Sequence, residues 1–208
     1  VEAVDMVMKG EVQNAFCAVR PPGHHALPDR AMGFCLFNNV AVGAAHARAV
    51  HGVDRVAVID FDVHHGNGTE AMFFSDPALF YGSTHQWPFY PGTGRPGERR
   101  PDHIVDLPLP AGAGGPEFRS AFTDAMLPAL NAFRPDLVFI SAGFDAHQDD
   151  PLGQMRLTEA DYAWATEMLC GVAARHSSRR VVSTLEGGYD LDALARSVGA
   201  HVKALMAA

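Results

Sequence analysis

Asp60, Asp62 and His64 alternate in the segment Val58-Ile59-Asp60-Phe61-Asp62-Val63-His64-His65-Gly66-Asn67-Gly68-Thr69. Side chains of an extended chain point to opposite faces in turn, so these three share one side. The apolar run Arg55-Val56-Ala57-Val58-Ile59 before them reads as a buried strand that ends in polar residues an ordinary core would not tolerate. Two carboxylates and an imidazole crowded at a strand end repel or stay unpaired unless a cation sits among them. Oxygen and nitrogen donors of this kind suit a zinc-like ion. The alternative for this segment alone is a solvated strand-to-helix turn with an Asp cap.

Three further segments carry reactive residues. Arg20-Pro21-Pro22-Gly23-His24-His25-Ala26 presents two adjacent imidazoles on a chain stiffened by prolines. Ser141-Ala142-Gly143-Phe144-Asp145-Ala146-His147 supplies a third carboxylate, and Leu185-Glu186-Gly187-Gly188-Tyr189-Asp190 has glycines that allow close backbone approach beside a Tyr hydroxyl. Alone, a His pair in a loop is most often a solvated accident, and the glycine turn is a weak signal.

The elements that must position these loops alternate along the chain. Strand-like runs at 15–19, 56–59, 79–83, 137–141 and 181–185 are interleaved with helical patterns at 37–50, 116–133, 158–175 and 191–206. Pro116 suits a first helical turn, and Thr158 followed by Asp161 suits a capped start. This alternation predicts an α/β fold, an open and mainly parallel sheet with helices on both faces, three layers α/β/α. Ligands in such sheets bind beyond the carboxyl ends of strands, which is where all four loaded segments fall. The Pro/Gly-rich stretch from Trp87 to Pro101 reads as a long loop over the same end.

Composition removes several function classes. A chain of 208 residues with 48% hydrophobic and 19% charged residues has the make-up of one globular domain. A formal charge of −8, with no basic cluster beyond Arg99-Arg100 and Arg179-Arg180, argues against a nucleic-acid surface. No apolar run approaches membrane-spanning length, and no membrane partner is expected. Three cysteines, Cys17, Cys35 and Cys170, lack metal-knuckle spacing and fit buried thiols in a reducing, cytoplasmic setting.

Taken in order, Pro22-Gly23-His24-His25, Gly33-Phe34-Cys35, Asn38-Asn39, Asp60 to Thr69, Pro91-Gly92-Thr93-Gly94, Ala142-Gly143-Phe144-Asp145 and Glu186-Gly187-Gly188-Tyr189 span nearly the whole chain. In this the sequence resembles the zinc-dependent histone deacetylase superfamily, nearest its class II-like and bacterial amidohydrolase branches. The resemblance implies the arginase/deacetylase fold and hydrolysis of an N-acetyl amide, either acetyl-lysine in a peptide or a small acetylated amine. It makes Asp62, His64 and Asp145 the ligands of one zinc ion, which leaves the open position a catalytic metal needs. It makes His24 and His25 the imidazoles beside the attacking water, Asp60 the support of the first and Asn67 that of the second. Asn at that position is a class II feature, and a neutral amide orients an imidazole without stabilising its cation as a carboxylate would. Tyr189 becomes the donor to the developing oxyanion.

The same resemblance places Phe34 and Tyr90 as tunnel walls, with Gly33, Gly188 and Leu152 completing the substrate-binding set. On its own pattern Phe34 reads as a core residue. Leu152 stands where polyamine-selective relatives carry a Glu, which disfavours polycationic substrates. A structural potassium ion is implied at Asp60, Asp62, His64, Ser83 and Thr84.

Asp145-Ala146-His147-Gln148-Asp149 also mimics a signature of the dimanganese arginases. The carboxylate that would bridge a second metal falls at Gly66, so a binuclear site is not expected, and His147 and Asp149 read as solvated or outer residues. The chain opens on Val1, and the resemblance implies a further segment before it in related proteins. One catalytic domain over 1–208, N-terminally shortened, is therefore expected. A short, inactive chain binding a metal or partner is the alternative, as is an acetylpolyamine amidohydrolase. Self-association is left open.

Overall fold

The computed structural model describes all 208 residues. Its frame is one six-stranded sheet in the order β1-β6-β5-β2-β3-β4, and every neighbouring pair is parallel. The strands are β1 (Asn14–Cys17), β2 (Val56–Asp60), β3 (Leu79–Gln86), β4 (Ile104–Leu109), β5 (Leu137–Ala142) and β6 (Val181–Leu185). The helices are α1 (Glu2–Met8), α2 (Asn39–His51), α3 (Asn67–Phe73), α4 (Gly115–Ala121), α5 (Leu127–Phe133), α6 (Glu159–His176) and α7 (Leu191–Met206), with a π-helical turn at Phe122–Met126. The central strands β2, β5 and β6 are buried along their whole length, as near-continuous Val/Ile/Leu runs require in a sheet covered on both faces.

Two apolar layers sandwich that sheet. On one face Val4 and Val7 of α1 and Ala44 and Ala47 of α2 pack on Val56, Val58 and Phe139. On the other, Phe118, Phe122, Met126, Leu130, Leu169 and Leu205 pack on Ile59, Ile140 and Phe144. No helix is long and apolar enough to cross a membrane.

Two expectations about elements need correction. The stretch 116–133 is not one helix: it passes through the π turn before Pro128, near the start of α5. Proline lacks the N–H of a regular helix and crowds the preceding turn, and a π turn is one way to absorb that. Strand β4 was not foreseen, because Ile-Val-Asp-Leu-Pro-Leu contains Asp and Pro. It is an edge strand, where a missing donor at Pro108 is tolerated. Local signals held elsewhere. Asn38 caps α2 by accepting from the Ala41 amide at 3.0 Å, and the Thr158 amide donates to Asp161 at 2.9 Å as α6 begins.

Candidate functional site

Parallel pairing sets Asp60 beside Ser141, so the chain leaving β2 runs against the chain leaving β5. Asp62, His64 and Asp145 meet there, with one ligand atom of each inside a 4.8 Å span. Backbone amides orient the carboxylates. Asp62 accepts from the amides of His64 (2.8 Å) and Gly187 (2.9 Å), and Asp145 accepts from that of Val63 (2.8 Å). His64 Nδ1 lies 2.9 Å from Asp62 Oδ1 and 3.2 Å from Asp145 Oδ2. The latter oxygen is fully buried and makes no hydrogen bond. A side chain at position 187 would collide with both carboxylates, which explains the glycine.

The electrostatics of this cluster are lopsided. Burial opposes charging of His64, yet the carboxylates of Asp145 and Asp62 beside it drive its pKa to about 10. Burial, and then the neighbouring Asp62 charge, push Asp145 up to about 6. Two buried carboxylates and one imidazole carry an excess of negative charge and an orphaned oxygen, and their N/O donor set fits a zinc-like divalent ion.

The paired imidazoles stand beside this cluster with ring centres 4.0 Å apart. His24 Nδ1–H donates to Asp60 at 2.9 Å, and His25 Nδ1–H donates to the Asn67 side-chain carbonyl at 2.8 Å. Their proton affinities are driven apart. Burial opposes the cation of His24, but Asp60 and Asp62 hold its pKa well above the usual histidine value. Burial and the neighbouring His24 charge press His25 down to about 2. One imidazole is thus held charged and the other neutral, with the neutral ring's free nitrogen at Nε2. Pairs split in this way mark acid and base partners.

Glu186 was quoted in a motif but assigned no role, and it supports this loop from beneath. Its carboxylate accepts from the amides of Gly23 (2.6 Å) and His24 (3.1 Å) and from the Ser141 hydroxyl (3.0 Å). The partners lie 163, 162 and 45 residues away in sequence, so no local pattern could disclose the contact.

A cavity of about 350 Å³ opens above these groups, lined among others by His24, His25, Asp62, His64, Gly33, Phe34, Tyr90, Leu152 and Tyr189. Phe34 is 74% exposed, so the reading of it as core is wrong: it stands at the mouth, on a backbone with φ of +63°. Tyr90 sets its ring edge-on to His25 at 5.1 Å. Gly187, rather than Gly188, lines the cavity. The Tyr189 phenol is pushed up by burial and by Asp145, which keeps it a proton donor. Sequence reasoning missed Asp150 here. Its carboxylate takes the Tyr189 amide at 2.7 Å on one oxygen and the Leu152 amide at 2.9 Å on the other, tying the two sides of the mouth together.

The remaining candidates separate. A side chain at Gly66 would strike Asp60 and Tyr81, so the bridging carboxylate of a binuclear centre has no room. His147 is not solvated: it is 1% exposed, with Nδ1 accepting from the Asp149 amide at 3.1 Å. Asp149 is exposed and pairs with Arg196 at 2.9 Å. Ser83 lies beside Asp60 in register and contacts His85 at 3.0 Å through its hydroxyl, while the Thr84 hydroxyl is buried without a partner. One step along the β2 loop lies a second cluster. His65 Nε2 is 2.8 Å from Glu70 and 3.2 Å from Asp106, and Arg100 Nε is 2.9 Å from each of those carboxylates.

Comparison with known proteins agrees with this geometry. The chain is 44% identical to the chloroplastic histone deacetylase 14 of Arabidopsis thaliana, over 92% of this chain and 46% of that one. It is also 44% identical to the histone deacetylase-like amidohydrolase of Pseudomonas aeruginosa, over 91% of this chain and 51% of that one. It thus spans about half the length of these curated relatives. The crystal structure of the HDA15 HD domain superposes with a TM-score of 0.93 at 41% identity, covering 99% of this chain and 59% of that chain. The histone deacetylase domain model matches residues 1–205, and on that extent of sequence and this likeness of fold the chain belongs to the histone deacetylase family.

Proposed function

We propose that residues 1–208 form the body of one deacetylase domain that hydrolyses N-acetyl amides, with acetyl-lysine in a peptide or a small acetylated amine as substrate. The observation that carries this reading is a single cavity lined by the split His24/His25 pair, Asp62, His64 and Tyr189, with Asp145 and its orphaned oxygen buried beside Asp62 and His64. Asp62, His64 and Asp145 would hold one zinc ion, which when bound polarises the amide carbonyl and acidifies water. His25 Nε2 takes the proton of the attacking water, because the bond from Nδ1–H to Asn67 leaves that nitrogen unprotonated. Tyr189 donates to the oxygen that becomes negative as the carbonyl carbon turns tetrahedral. The C–N bond then breaks and a protonated imidazole of the pair gives its proton to the leaving amine, so acetate and a free amine result. Phe34 and Tyr90 flank the substrate's methylenes, and Gly33 offers a backbone carbonyl. The uncharged Leu152 at the mouth favours a peptide or small amine over an acetylpolyamine.

A structural potassium ion is proposed at Asp60, Asp62, His64, Ser83 and Thr84. The three thiols, all unpaired, suit a reducing, cytoplasmic setting. The test is hydrolysis of acetyl-lysine peptides and acetylpolyamines by zinc-loaded protein. Turnover of peptide, lost on chelation and restored by zinc, is the expected result. A chain that binds zinc and folds yet turns over neither substrate supports the alternative of a metal- or partner-binding module.

A further inference from the structure

We propose that Asp5, His46 and His51 form a second metal site, for a zinc- or copper-class divalent ion, that fastens α1 to the C-terminal end of α2. The three side chains come from two packed elements and aim at one point. His46 Nε2 and His51 Nε2 each lie 2.6 Å from the same Asp5 oxygen, Oδ1. One ligand atom of each residue falls inside a 4.8 Å span. Ligand pairs around a tetrahedral zinc, with bonds of about 2.0–2.2 Å, stand roughly 3.4 Å apart, so a small rotation of Asp5 admits the ion. The imidazole planes are crossed at 74° rather than stacked, which lets both nitrogens approach one centre from different directions.

Two imidazoles and a carboxylate make a borderline donor set that prefers zinc, copper or nickel to magnesium or calcium. Three protein ligands also leave room for water, and all three side chains are partly exposed.

Comparison with the other clusters in the molecule favours this reading. The chain has three groups of His and carboxylate with converging ligand atoms. The Asp62 group belongs to the site described above. The His65–Glu70–Asp106 group already has a cation, because Arg100 pairs with both carboxylates. At Asp5 no Lys or Arg is paired within 4.0 Å, Lys9 acting only at longer range, and the two imidazoles are its only side-chain partners. The flanking residues Val4 and Val7 pack in the same apolar cluster as Ala44 and Ala47, so the ligands are carried on a fixed helix pair.

The test is zinc stoichiometry of metal-stripped protein after reloading and desalting, by elemental analysis. The parent is expected to retain two zinc ions, the His46→Ala/His51→Ala variant one, and Asp145→Asn one. Since none of Asp5, His46 and His51 lines the cavity, the double variant should keep the parent's hydrolytic activity. Copper(II) loaded onto Asp145→Asn should show nitrogen ligation by electron paramagnetic resonance, and lose it when His46 and His51 are also replaced. A parent that retains no more zinc than the His46→Ala/His51→Ala variant overturns the inference and leaves the catalytic reading intact. Loss confined to the Asp5 group, with Asp145→Asn unaffected, would overturn the catalytic metal reading instead.

Discussion

Two clusters one residue apart on the same loop make an instructive contrast. Around His64 stand Asp62 and Asp145 with no Lys or Arg in reach, and one carboxylate oxygen has no partner. Around His65 stand Glu70 and Asp106, and there Arg100 pairs with both, while Thr93 takes the other ring nitrogen at 2.8 Å. Burial opposes the His65 cation, but bonds to Asp106 and Glu70 raise its pKa to about 9. The chemistry of the two sets is nearly the same, and what separates them is compensation. A buried set with its own guanidinium is scaffold, whereas one that has only imidazoles against its carboxylates, and an oxygen left without a hydrogen bond, is prepared to take a cation from outside. The compensated cluster also has a mechanical role. Arg100 and Thr93 belong to the long loop that carries Tyr90, so the scaffold cluster moors the cavity rim beside the catalytic loop.

The strongest way to break this contrast is Asp145→Asn. The amide keeps an oxygen for the Val63 N–H and removes one negative charge. The zinc ion of this site and turnover should both be lost, read as one ion fewer than the parent by elemental analysis and as no acetyl-peptide hydrolysis, while the fold persists by circular dichroism. Full metal content in this variant would show that the orphaned oxygen is not a ligand.

Tyr189→Phe is the next largest effect. It should lower kcat by roughly a hundredfold to a thousandfold with metal content unchanged, as for loss of one oxyanion donor. Near-normal turnover would reduce Tyr189 to a packing residue.

Arg100→Met tests the other side. Leaving Glu70 and Asp106 facing each other without the guanidinium should cost about 1–3 kcal/mol of stability in urea unfolding, discounted from the fully buried case because Arg100 is partly exposed. Zinc content should hold, and a rise in KM larger than any fall in kcat would report a loosened Tyr90 rim. A drop in zinc content equal to that of Asp145→Asn would mean the two clusters are one unit.

The smallest effect is a shift rather than a loss. Asn67→Asp places a carboxylate against His25 and should raise its pKa by about one unit. The base acts unprotonated, so activity falls as pH drops through its pKa, and a higher pKa moves the acidic limb of kcat/KM to higher pH. An unmoved limb with activity intact would detach Asn67 from the catalytic imidazole.

Much of this site was legible because its residues announce themselves at strand ends. Asp62, His64 and Asp145 follow apolar runs that only a buried parallel strand explains, and the sheet places them together. What stayed hidden has a common cause. Glu186, Asp150 and Arg100 act through partners far away in the chain or through backbone amides, and neither leaves a periodic trace. Of the two readings of His147, solvated or outer, burial excludes the first, which the polar Gln148 and Asp149 beside it in sequence do not disclose. Strand β4 and the break before Pro128 were obscured by prolines whose tolerance depends on position in the sheet or helix.

The pairing of β1 with β6 has a consequence for how the molecule is made. Asn14 sits opposite Val181, so β1 waits for a strand made much later. During synthesis the loop bearing His24 and His25 has neither its sheet neighbour nor the Glu186 carboxylate until the 163 residues from Gly23 to Glu186 have followed it. Such long-range closure slows folding. The imidazole pair should therefore be the last part of the cavity to acquire its shape, and refolding followed by recovered hydrolysis should lag behind refolding followed by helix signal.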